Sequence, residues 1–146
     1  MNKTEILVKK LTIKGKTIST MESCTGGALA SEITNVSGAS NVIKYSSVTY
    51  SDEYKIKMGV DKDTLDKYGV YSQEVARSMA RAIADYANSD YGIGITGRIE
   101  AMAYVCIYNR QKESSIYHEL RLDACGRQEN KEKIISFVID KLLEIV

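Results

Sequence analysis

The sequence predicts a single α/β domain whose mixed sheet is covered by helices on both faces. Three observations predict it. β-branched runs alternate with amphipathic stretches along the whole chain, a strand runs through a glycine turn into a helix near the start, and two neighbouring strand-like segments near the end imply a hairpin. At 146 residues, with 44% apolar and 27% charged residues, the chain suits one core of ordinary globular composition. Proline is absent and no linker, charge block or internal repeat divides it, so 1–146 reads as one domain.

Residues 4–11 place Ile6, Leu7 and Leu11 at helical spacing, with Thr4 as N-cap and Gly15 as punctuation. Residues 17–21 form a short β-branched strand. Gly26-Gly27 opens a second helix carrying Leu29, Ile33 and Val36. Residues 41–50, rich in Val, Ile, Tyr and Thr, read as a strand. Ser51 caps a short helix with Asp52 and Glu53 in its first turn, where acids suit the dipole. A further short helix over 61–68 stops at Gly69. The strongest amphipathic helix spans 72–87, with Ser72 as cap and Val75, Met79, Ile83 and Tyr86 on one stripe. Residues 91–95 are a buried strand, 102–108 and 115–122 pair as a hairpin, and 128–145 is a final helix with Ile134, Val138, Leu142 and Ile145 on one face.

Charge and composition exclude several functions. Twenty basic residues against nineteen acidic ones give a net charge of +1 with no basic stripe, which argues against nucleic acid as a partner. No apolar run approaches the ~18–20 residues that span a bilayer, and Met1-Asn2-Lys3-Thr4-Glu5 does not lead into a signal-peptide core. A membrane partner is therefore not expected. Cys24, Cys106 and Cys125 are odd in number and lack CxxC spacing, so reduced thiols in a cytoplasm are expected. Neither HExxH, an acidic metal cluster nor a Walker loop occurs.

In mixed α/β sheets ligands gather at the carboxyl ends of the parallel strands. Glu22-Ser23-Cys24-Thr25-Gly26-Gly27 falls at such an end. Free amides at the following helix start can hold an anion or an oxyanion, with Ser23 and Thr25 supplying hydroxyls. The plainer account is an N-cap and tight turn bridged by Glu22. Lys55 lies one turn into the helix after the next strand. If desolvated it can act as a base toward a serine; otherwise it is an ordinary solvent-facing lysine. Thr96-Gly97 ends a strand and can touch a phosphate or simply turn the chain, the commoner use. Arg127 after Gly126 sets a cation against a helix dipole, which favours an anionic ligand between them, although a screened surface arginine costs little. His118, alone in a strand pattern, is more readily a packing residue than a partner for Cys24.

Glu22 to Gly27 together with Tyr50-Ser51-Asp52-Glu53-Tyr54-Lys55, Gly59-Val60, Gly69-Val70-Tyr71-Ser72, Asp90-Tyr91 and Thr96-Gly97 resembles the C-terminal domain of the CinA family, the competence/damage-inducible proteins. That domain also exists as a free-standing nicotinamide mononucleotide deamidase. The resemblance runs in register over about 11–97 and resumes more weakly over the last strands and helix. It implies a three-layer α/β/α sandwich with a mixed, mostly parallel sheet. It also implies hydrolysis of nicotinamide mononucleotide to nicotinate mononucleotide and ammonia, with no metal or other cofactor. Ser23 matches the nucleophile, Lys55 its base, Tyr50 a tyrosine at the same sheet edge and Arg127 a basic residue after the late glycine. Glu22, Thr25, Gly26, Gly27, Thr96, Gly97 and Arg127 are then expected around a small nucleotide substrate, and a homodimer would be unsurprising for such a domain. Departures accompany the match. Met21 stands where a small residue is usual and Asp52 where asparagine is usual. The Gly/Pro-rich loop expected after Thr96-Gly97 is replaced by Arg98-Ile99-Glu100-Ala101, which leaves a catalytically weak or inactive nucleotide-binding module as the alternative. The N-terminal half of full-length family proteins has no counterpart in these residues.

Overall fold

The computed structural model describes residues 1–123 and 126–146; Cys125 lies outside the described residues, while Cys24 and Cys106 are free, buried thiols. In chain order the elements are α1 (Lys3–Lys14), β1 (Ile18–Glu22), α2 (Ala28–Thr34), a 3-10 turn (Ala39–Asn41), β2 (Ile43–Val48), α3 (Asp52–Lys57), α4 (Lys62–Tyr68), α5 (Gln73–Ala87), β3 (Tyr91–Arg98), β4 (Met102–Asn109), β5 (Ser114–Arg121) and α6 (Arg127–Ile145). The sheet order is β2-β1-β3-β4-β5. β1 pairs in parallel with β2 and β3, and β3-β4 and β4-β5 are antiparallel, so the sheet is mixed.

Alternation of side chains along each strand splits the core into two layers. On one face Leu7, Leu11, Leu29, Ile33, Ile134, Val138 and Leu142 of α1, α2 and α6 pack onto Ile18, Ile93, Ile95, Val105 and Ile107. Across the sheet, Val75, Met79 and Ile83 of α5 join Met21 and Leu65, and Ala76, Ala80 and Ala84 meet Cys106 and Tyr108. The result is the expected three-layer sandwich. α5 lies unusually close to β3, because small residues line both sides of the contact. A Cβ on Gly92 would stand 2.0 Å from the Ala80 carbonyl oxygen, and one on Gly94 would stand 2.3 Å from that of Ala76.

Local chemistry moves some boundaries. α1 begins at Asn2, whose side chain accepts from the Glu5 amide; Thr4 is buried and donates to Glu32 instead. Tyr86 leaves the α5 stripe for the surface and contacts Tyr45, ring centres 5.5 Å apart. β3 runs on through Arg98, with Thr96 and Gly97 paired to Tyr104 and Ala103. Those two residues are therefore strand, not turn, and residues 99–101 alone connect β3 to β4. Among the described residues no helix is long and apolar enough to cross a membrane.

Candidate active site

β1 ends at Glu22, and the chain turns through Ser23 before α2 starts. The Ser23 amide donates to the Ile95 carbonyl of β3 and the Thr49 amide donates to the Glu22 carbonyl, so the turn is tied to both neighbouring strands. Ser51 caps α3 by accepting from the Tyr54 amide, which fixes the first turn of the helix that carries Lys55. Lys55 is 1% exposed, and its Nζ lies 3.0 Å from Ser23 Oγ and 2.7 Å from the Thr49 carbonyl oxygen. The solvated lysine considered from the sequence is excluded. Burial lowers the Lys55 pKa below its ordinary value of 10.5, while Asp52 and then Cys24 pull it back up.

The pair lines a cleft of ≈ 420 Å³, within the range of small-molecule sites. Ser23, Tyr50, Lys55, Gly97 and Arg127 all line it. At its mouth Arg127 pairs with the Glu100 carboxylate and donates to the Tyr50 hydroxyl at 3.3 Å. The anion expected opposite Arg127 is thus supplied by the protein itself. Tyr50 is 63% exposed and belongs to the rim rather than to the Ser23-Lys55 pair.

Other expected ligand residues are placed differently. Glu22 is fully buried, and its oxygens accept from the Thr25 hydroxyl at 2.6 Å and the Leu29 and Ala30 amides at 3.0 and 3.1 Å. It therefore occupies the start of α2 from inside the protein. Gly27, the N-cap, provides no side chain for that task, and Glu22 replaces it. Gly26 donates its amide to the Ser23 carbonyl and, like Gly27, takes positive φ to form the turn; neither lines the cleft. The expected anion cradle of Thr25, Gly26 and Gly27 is consequently a structural junction. Thr96 is likewise buried and gives its hydroxyl to the Val70 carbonyl.

Cys24 borders Ser23, but burial, reinforced by Glu22, raises its thiol pKa to about 11, so it stays protonated near neutrality. His118 contacts Phe137 edge-on at 5.3 Å, which accounts for it as packing. Among the described residues no group of His, Cys, Asp and Glu could hold a metal ion. Asp52, Val70, Tyr71, Arg98, Ile99, Glu100 and Ala101 also line the cleft, and none of them was assigned a site role from motif or spacing. Their signals were indirect: Val70 and Tyr71 belong to the matched Gly69-Val70-Tyr71-Ser72 segment, whereas Asp52 and 98–101 mark departures from the family pattern.

Fold and cleft together define a three-layer α/β domain with a buried serine–lysine pair at the carboxyl edge of its parallel strands. A family model described as the CinA C-terminal domain matches residues 2–146, and the chain belongs to that family. A putative competence-damage inducible protein of Clostridium kluyveri is 46% identical over 117 residues, covering 73% of this chain and 28% of the relative. A CinA-like protein of Kosmotoga olearia is 51% identical over 94 residues, covering 64% of this chain and 23% of the relative. The chain thus spans about a quarter of the length of the curated relatives it matches. The crystal structure of a CinA superfamily protein from Escherichia coli superposes with a TM-score of 0.92 at 24% identity, covering 99% of this chain and 89% of the other. A competence or damage-inducible protein from Enterobacter asburiae gives 0.89 at 25% identity, covering 99% and 98%.

Proposed function

We propose that the chain is an amidohydrolase that converts nicotinamide mononucleotide to nicotinate mononucleotide and ammonia through Ser23 and Lys55. The observation that carries this reading is the desolvated Lys55 amine 3.0 Å from the Ser23 hydroxyl, at a cleft large enough for a nucleotide. A lysine buried without a carboxylate partner is costly, and such groups cluster where a neutral amine is wanted.

In its neutral form Lys55 keeps a hydrogen on the Thr49 carbonyl and offers its lone pair to the Ser23 hydroxyl. Ser23 Oγ attacks the carboxamide carbon as its proton passes to Nζ. The tetrahedral intermediate collapses with cleavage of the C–N bond, Lys55 returns the proton to the leaving nitrogen, and ammonia departs. Water then adds to the Ser23 ester and is deprotonated by the same amine, and the carboxylate product leaves with the serine restored. Gly26 and Gly27 do not serve the oxyanion in this scheme. The Cys24 amide, from a residue that lines the cleft beside Ser23 and makes no backbone bond among the described residues, is the donor assigned to the oxyanion.

Ammonia release from nicotinamide mononucleotide tests the proposal. Ser23→Ala should reduce the rate by at least about a thousandfold and Lys55→Ala by about 10²–10⁴-fold. Undiminished release from either variant would end the reading. A second reading, a nucleotide-binding module without turnover, draws on the short 99–101 connection that lines the cleft in place of the longer loop the resemblance implies. Ligand-induced thermal stabilisation of the wild type with the mononucleotide recovered intact would favour it.

A further inference from the structure

Besides Lys55 the cleft holds two cations, and they differ in electrostatic state. Arg127 is neutralised by Glu100 and bonded to the Tyr50 hydroxyl. Arg98, the last residue of β3, is exposed in the same cleft, with Cζ 4.9 Å from the centre of the Tyr71 ring. That ring contact is the only interaction of its side chain among the described residues, with no carboxylate and no hydrogen-bond acceptor.

Its position follows from the strand. Alternate residues project to the same face, so Arg98 follows Thr96, whose hydroxyl is anchored to Val70. This brings the guanidinium beside the 70–71 segment. Lying over an aromatic face leaves its in-plane N–H donors free, and that fork matches two phosphate oxygens.

We propose that Arg98 anchors the phosphate monoester of the substrate, and that Glu100 restrains Arg127 from doing the same. The proposal rests on the amidohydrolase reading for the identity of the substrate, but its anion chemistry can be tested apart from turnover. The cleft then has an amide end at Ser23 and Lys55 and an anion end at Arg98.

Calorimetric titration with ribose 5-phosphate tests it. The wild type should bind, Arg98→Gln should bind about tenfold more weakly or worse, and Arg98→Lys should fall between them. Glu100→Gln should tighten binding by freeing Arg127. In turnover, the preference for nicotinamide mononucleotide over nicotinamide riboside should drop about tenfold in Arg98→Gln. Failure of the wild type to bind ribose 5-phosphate, or equal binding by wild type and Arg98→Gln, would overturn the proposal. So would an unchanged preference between the two substrates. If neither substrate yields ammonia, the amidohydrolase reading falls alone, and the sugar-phosphate titration still decides the role of Arg98. Since Arg98 is exposed, its variants should unfold at the wild-type temperature, which checks that lost binding is local.

Discussion

Lys55 and Glu22 are both fully buried, yet the protein uses them in opposite ways. Glu22 has its two oxygens committed to one hydroxyl and two amides, which makes it part of the framework. Lys55 meets only a hydroxyl and a carbonyl, with no carboxylate in contact, and that leaves its proton loosely held. Since a base acts when neutral, kcat/KM should rise with pH through the pKa of Lys55, on a limb below the ordinary amine value of 10.5. Asp52 opposes that shift, because its charge favours the ammonium form. Asp52→Asn should therefore move the limb to lower pH, as read from the pH dependence of kcat/KM. A limb that stays in place or moves to higher pH would refute this role. Burial was not legible in the sequence for either residue, since a lysine in a short helix and an acid at a strand end are ordinarily solvated.

At the scale of elements, the Ser23-Lys55 distance depends on β1 and α3 meeting across β2. The Thr49 amide bonds the Glu22 carbonyl and the Thr49 carbonyl receives Lys55, so one residue links the two. The α5-β3 contact supports the same edge from below, and its closeness depends on glycine. Gly94→Ala would place a methyl 2.3 Å from the Ala76 carbonyl oxygen, which α5 can relieve only by moving outward. Thermal or denaturant unfolding should show a loss of about 2–3 kcal/mol, within the usual cost of overpacking. Wild-type stability in Gly94→Ala would mean that the contact is looser than described. Periodicity revealed α5 and α6 because their apolar stripes are long. It missed the extension of β3 to Arg98 because Thr96-Gly97 carries turn chemistry, while the pairing that overrides it comes from β4, outside the local sequence.

For the whole molecule, parallel pairing of β2, β1 and β3 brings residues far apart in the chain to one carboxyl edge. That convergence was legible from the alternation of strands and helices, as was the late hairpin that makes the sheet mixed. The contents of the cleft were only half legible. Ser23, Tyr50, Lys55, Gly97 and Arg127 meet there, whereas Thr25, Gly26, Gly27 and Thr96 hold the framework. The difference is one of side-chain direction and burial, which motif spacing does not encode. Charge distribution completes the picture, with the desolvated amine, Arg98 and the Glu100-paired Arg127 lining one cleft.

The central claim is that Ser23 carries the acyl group. Rapid quenching of the wild type with nicotinamide mononucleotide, followed by peptide mass analysis, tests it most directly. A transient adduct is expected on the peptide containing Ser23, heavier by the substrate less ammonia and absent from Ser23→Ala. Ammonia release by Ser23→Ala at the wild-type rate, with no adduct in either protein, would contradict it.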